Sequence, residues 1–163
     1  MNKKLLFIFL ALCVVFFLAS CDDGGSSGGG GGRGSAGTFV IVDVTPHDGV
    51  DEIHTISGGI EFTSGGADWV LKDKIMLNDD GTITDKVSLK MDGNLVVDCE
   101  YSGTWAPSGN KINVHLTEEK DKLAGTTNAI NVNGSATLSE DGETLTADQK
   151  QQGMNFYYIY KKQ

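Results

Sequence analysis

Lys111-Ile112-Asn113-Val114-His115-Leu116-Thr117 alternates without a break. Ile112, Val114 and Leu116 fall on one side and Lys111, Asn113, His115 and Thr117 on the other. A period of two is the signature of a half-buried strand, because successive side chains in extended backbone point to opposite faces. The flanks agree. Pro107–Asn110 supplies turn residues before the strand, and the charged, irregular stretch Glu118–Thr127 after it reads as a long hairpin loop or a helical turn.

The same texture extends in both directions. Asp68–Leu77 places Trp69, Leu71, Ile75 and Leu77 on one face, interrupted by Asp73. Asn78-Asp79-Asp80-Gly81 turns the chain into Thr82–Met91, with Ile83, Val87, Leu89 and Met91 inward and Asp85 among them. Asp92-Gly93-Asn94 leads to Leu95–Tyr101, where Leu95, Val97, Cys99 and Tyr101 share a face. Toward the N-terminus, Thr38–Val44 is a first strand, Pro46–Ile53 an acidic loop and Ile56–Thr63 a strand softened by two glycines, followed by a turn at Ser64–Gly66. Toward the C-terminus, Asn128–Ser139 aligns Ile130, Val132, Ala136 and Leu138. Glu140-Asp141-Gly142-Glu143 turns into Thr144–Lys150, and Met154–Lys161 closes the chain with Met154, Phe156, Tyr158 and Tyr160. No stretch after Thr38 keeps a 3.6-residue period beyond two turns. Eight or nine strands joined by tight turns predict an all-β antiparallel up-and-down meander, which removes its edges by closing into a barrel of about eight strands.

The first 37 residues have a different character. Lys3 and Lys4 precede an apolar run from Leu5 to Leu18, and Leu18-Ala19-Ser20-Cys21 ends it. This is the layout of a secretory signal, and the run is short of the roughly 20 apolar residues of a membrane span. Leu-Ala-Ser-Cys resembles the lipobox of bacterial lipoproteins, in which the cysteine is acylated and becomes the mature N-terminus. The resemblance implies a signal peptide over 1–20, lipidation with palmitate-type acyl chains at Cys21, and a protein held in the bacterial cell envelope. The outer membrane or cell surface is the first expectation and the inner membrane the second; Asp22 and Asp23 have the character of a sorting signal. Residues 22–37 are glycine- and serine-rich and cannot bury enough apolar surface to offset their ordering entropy. They form a tether with a root-mean-square reach of roughly 20–25 Å, and the barrel domain occupies 38–163.

Composition limits the function classes. The chain of 163 residues carries a formal charge of −9, which becomes −11 once residues 1–20, with Lys3 and Lys4, are removed. A chain so acidic, with no basic patch, is excluded as a nucleic-acid binder. Anionic headgroups also repel it, so the membrane is a partner only through the lipid on Cys21. Cys13 is lost with the signal and Cys21 is acylated, which leaves Cys99 and no intramolecular disulfide. The domain must be held by its core.

From Asp68 onward the chain resembles the lipocalin-like domains of small bacterial lipoproteins, within the calycin group. The resemblance rests on the strand and Asp-Gly turns, Gly103-Thr104-Trp105, the Gly109-Asn110 turn before Ile112-Asn113-Val114-His115-Leu116, and Ser139-Glu140-Asp141-Gly142-Glu143-Thr144-Leu145. It implies a β-barrel that holds a small, partly apolar ligand. Two departures stand out. The lipocalin Gly-x-Trp marks the first strand, whereas Gly103-Thr104-Trp105 is mid-chain. The lipocalin tryptophan also stacks under an arginine from the last strand, whereas Arg33 is the chain's one arginine and lies in the tether; Lys161 or Lys162 is the substitute.

The candidate ligand-lining residues are Trp69, Leu71, Val87, Val97, Ile112 and Val114. The alternative is a structural or protein-interaction lipoprotein, inhibitor- or adhesin-like, with a filled barrel. No catalytic motif is present: there is no Gly-x-Ser-x-Gly elbow, and no histidine is expected beside Cys99, so a non-enzyme without a cofactor is expected. His47, Asp51 and His54 are the donors a metal would use, but their spacing matches no closed ligand set and a solvated acidic loop is the ordinary reading. The two Asp-Gly turns lack the ligand series of a calcium loop. Asp73 and Asp85 are either wetted by a bulge or rim position, or form a polar spot inside a cavity.

Overall fold

A computed structural model describes residues 36–47, 50, 52–151 and 154–163. The signal, Cys21 and nearly all of the tether lie outside the described residues, as does Asp51. The described chain is all β, in ten strands: β1 Gly37–Thr45, β2 Ile53–Ile56, β3 Gly59–Ser64, β4 Ala67–Leu77, β5 Thr82–Met91, β6 Asn94–Ser108, β7 Lys111–Asp121, β8 Thr126–Leu138, β9 Thr144–Gln151 and β10 Met154–Lys162.

All pairings are antiparallel, in the order β1-β10-β9-β8-β7-β6-β5-β4-β3-β2, and β1 also pairs with β4. That last contact closes an eight-stranded barrel of β1 and β4 to β10. Residues 37–40 of β1 pair with Leu77 back to Lys74 of β4, while β3 pairs with residues 67–71 of the same β4 edge. The β2–β3 hairpin therefore fills the wedge where β1 departs from β4, and Thr55 ties it back by donating to the Val42 carbonyl (3.1 Å).

The inward residues follow the alternation. Phe39, Ile41, Leu71, Ile75, Val87, Leu89, Ile112, Leu116, Leu145 and Tyr160 belong to one contiguous buried core. Cys99 is buried within it, and His115 is an exposed strand residue.

Several boundaries differ from expectation. The weak strand expected over Ile56–Thr63 is a hairpin, because Gly58 takes φ 78° and turns the chain between Ile56 and Gly59. The charged stretch Glu118–Thr127 is mostly strand: β7 runs to Asp121 and β8 starts at Thr126. Asp121 accepts from the backbone N–H groups of Leu123 and Ala124 (2.9 Å each) and closes the turn. Gly103-Thr104-Trp105 and Pro107 are part of one continuous β6, which absorbs a register shift between Ser102 and Gly103. Leu95 is 40% exposed instead of inward, because the shift at Leu89/Lys90 pairs Lys90 with Leu95 and reverses its face.

The first and last strands are joined by a contact between a cation and an aromatic ring. Lys162 of β10 lies over the ring of Phe39 on β1, 5.9 Å from its centroid. A Cβ on Gly37 would touch Cε of Lys162, so glycine leaves the lysine stem its path. Trp105 instead donates from Nε1 to the Asn78 carbonyl (3.0 Å) and fastens the β4–β5 turn.

Candidate ligand site at the far end of the barrel

The meander sorts the barrel into two ends. Gly37, the C-terminus and the turns after β4, β6 and β8 lie at one end; the β1–β2 loop and the turns after β3, β5 and β7 lie at the other, the far end. The apolar surface is concentrated at the far end. Val44, Val50, Ile53, Ala67, Met91 and Phe156 are partly buried there against the core. The exposed large hydrophobics Leu95, Val96 and Leu123 are at its tips, and Tyr157 is near the start of β10.

A cleft of about 680 Å³ opens at this end, lined by Glu52, His54, Glu61, Phe62, Thr63, Asp68, Trp69 and Val70. Phe62 and Trp69 face each other across the β3–β4 pair and stack, with centroids 6.4 Å apart and planes 10° from parallel. Trp69 Nε1 donates to the Ser64 carbonyl (3.2 Å), which fixes the indole. Thr63 donates to Asp68 Oδ1 (3.0 Å). The lining offers an aromatic floor and three carboxylates, and no lysine or arginine among the described residues.

Deeper in the barrel lies a buried polar cluster. Asp73 pairs across β4–β5 with Val87, and Asp85 with Ile75, so the two carboxyls are diagonal neighbours on the inner face. Both are fully buried, which rules out the wetted arrangement. Tyr160 donates from its hydroxyl to Asp73 Oδ2 (2.8 Å). Asp73 Oδ1 and both Asp85 oxygens take no other hydrogen bond among the described residues. Two such carboxylates cannot both stay ionised in a dry interior. Burial raises Asp73 to about 6, against the opposing hydrogen bonds from Asp85 and Tyr160. Burial and then the charge of Asp73 push Asp85 well above the usual carboxylate range. Of the two, Asp85 is raised the further, so its carboxyl favours the uncharged, protonated form the more strongly. Burial, then the Asp73 charge, also raises the hydroxyls of Tyr160 and Tyr158.

The six residues expected to line a ligand cavity all face inward, each no more than 6% exposed. Trp69 is the one that reaches the cleft; the other five pack in the core. The histidines do not converge. His47 Nε2 meets Asp43 Oδ1 (2.9 Å) and His54 Nε2 meets Glu52 Oε2 (3.3 Å). Among the described residues no group of three or more His, Cys, Asp or Glu side chains is arranged to hold a metal ion. In the two Asp-Gly turns the aspartates serve the turns themselves: Asp80 accepts from the Thr82 amide (2.9 Å) and Asp141 from the Glu143 amide (3.0 Å).

Glu52, Glu61, Phe62 and Asp68 were not legible as a group. They meet only because β2 and β3 form a hairpin, and the signal for it was the Ser57-Gly58-Gly59 run inside an otherwise continuous strand pattern. Asp73 and Asp85 did announce themselves, as two acids on the inward phase of consecutive strands.

No protein-family model, curated protein or solved structure matches this chain.

Proposed function

We propose that this chain is a non-enzymatic, lipid-anchored lipoprotein of the bacterial envelope, with a lipocalin-like barrel that binds a small, partly apolar ligand at its far end. The observation that carries the binding reading is the far-end cleft: about 680 Å³, within the usual size of small-molecule sites, with Trp69 and Phe62 in its lining. The Phe39–Lys162 pair supports kinship with the calycin group, and Leu18–Cys21 supports the anchor. The ligand sits at the mouth instead of deep inside, because five of the six interior candidates are consumed in core packing.

The same packing favours a second reading, a filled barrel that serves as a structural or protein-interaction module. Native mass spectrometry of the full-length Cys21→Ser chain separates the two. A co-purified small molecule, lost in Val70→Trp, which fills the cleft from a half-buried position, is the expected result. An unliganded mass together with no small-molecule binding to the intact cleft leaves the filled-barrel module.

A further inference from the structure

The lining of the far-end cleft carries a charge pattern that its size alone does not set. On its β3–β4 wall Glu61 is directly opposite Val70, and Thr63 is directly opposite Asp68. The exposed Glu61 and Asp68 are therefore diagonal neighbours on one face, roughly 7–8 Å apart. Glu52 enters from the β2 side, beside His54 (3.3 Å). Asp92 stands at the margin, where its Oδ1 accepts from the Asp68 amide (2.9 Å). The lysines of the same face, Lys90 opposite Val70 and Lys72 two residues beyond it, lie outside the lining. Val70, Phe62 and Trp69 supply the apolar part. Among the described residues no three acids or histidines converge on a point that could hold a metal ion. The negative charges of the cleft are thus spread along a wall and not focused on one point.

We infer that the ligand of this cleft is a linear polyamine, whose ammonium groups meet Glu61, Asp68 and Glu52 and whose methylenes lie over Val70. The inference rests on the reading of the cleft as the ligand site and names the chemistry that site selects. Other ligand classes fit less well. A neutral apolar guest would strip water from the carboxylates and give them no counter-charge. An anionic amphiphile is repelled by the lining and by a chain at −9. A compact cation with a single charge pairs with one exposed carboxylate at a time, and such a pair contributes little in water. A chain with several ammonium groups makes its second contact from the same molecule, so weak pairs combine into a measurable affinity. Short methylene spacers set those charges about as far apart as the diagonal Glu61 and Asp68.

The test is isothermal titration calorimetry of the full-length Cys21→Ser chain in detergent at low salt, with spermidine as the probe. Spermidine should bind saturably and roughly tenfold or more tighter than butylamine, which has methylenes but a single charge. Added salt should weaken it, because the carboxylates are exposed. Glu61→Gln/Asp68→Asn should lower its affinity roughly tenfold or more. Glu140→Gln/Glu143→Gln removes the same charge from exposed positions in the near-end turn after β8 and should leave the affinity unchanged. Equal losses in the two variants would make the binding a response to net charge and overturn the inference. Val70→Trp, which fills the cleft, should abolish spermidine binding as well and keeps the test decisive if the acid variant misfolds. A chain that ignores spermidine but carries a neutral or anionic molecule, lost in Val70→Trp, overturns the polyamine and leaves the cleft as a ligand site. A chain that binds neither removes both.

Discussion

Asp73 and Asp85 are the two residues whose placement runs most directly against the rest of the core, and they set the pH response of the fold. In the unfolded chain both titrate near 3.8; in the barrel Asp73 is raised to about 6 and Asp85 further. A carboxyl raised on folding favours the folded state while it is protonated. Its contribution is whole below about pH 4 and is lost as the pH climbs through the folded value. For Asp73 that loss amounts to about 3 kcal/mol, from roughly two units at 1.36 kcal/mol each. Asp85 extends the decline to higher pH. The melting temperature should therefore fall between pH 4 and pH 8, and Asp85→Asn, which keeps a donor toward Asp73 without a charge to bury, should melt higher at pH 8 and show a shallower decline. Thermal melts followed by circular dichroism decide it. An Asp85→Asn chain with the slope of the parent would mean that the overall negative charge, not the carboxyl pair, governs the dependence. Tyr160 should respond in the opposite sense: Tyr160→Phe removes the 2.8 Å donor to Asp73 and should cost about 1–3 kcal/mol near neutral pH, as for a hydrogen bond to a charged group.

At the scale of the elements, bulges decide where side chains point. Gly103 lies at the shift between β6 and β7, and a Cβ there would collide with the carbonyl oxygen of His115 and with Cα of Leu116. Both are backbone, so no flexible side chain can move aside. Gly103→Ala should therefore destabilise the barrel by about 1–3 kcal/mol, the usual cost of overpacking, measured as a lower denaturant midpoint. A midpoint unchanged from the parent would mean that β6 shifts freely at this point. Gly103 also shows where sequence reading succeeds and where it stops. The period-two pattern of Lys111–Thr117 and Asp68–Met91 was enough for the strand faces, the antiparallel order and the barrel, because one buried face imposes a strict phase. Leu95 departs from the pattern because a bulge reverses phase without a composition signal. The β2–β3 hairpin is not legible in the sequence, because paired glycines in a short apolar run serve a turn as readily as a weak strand. The cleft depends on that hairpin, so most of the candidate site was hidden with it, and only Trp69 among the expected ligand residues reaches it.

At the scale of the whole molecule, the positions of the two barrel ends bear on the proposed anchoring. β1 begins at Gly37, at the opposite end from the cleft, from Leu95 and Val96 and from Leu123. A lipid at Cys21 would therefore hold the barrel by its near end, and the apolar far end would face away from the bilayer. The negative charge reinforces this, since anionic headgroups repel a chain that stands at −11 once residues 1–20 are removed. Membrane association should then depend on the lipid alone. The acylated chain should sediment with membranes in low and high salt alike, because an acyl anchor is insensitive to screening. Cys21→Ser should move to the soluble fraction. Unchanged fractionation of that variant would sink the anchor. Orientation has its own readout: in liposomes carrying the acylated protein on their outer face, Leu123→Cys, at a site 51% exposed in the β7–β8 turn, should react with a bulky water-soluble maleimide as fast as it does in detergent. Strong protection by the liposome would place the far end against the bilayer and make its apolar rim a membrane contact instead of a ligand mouth.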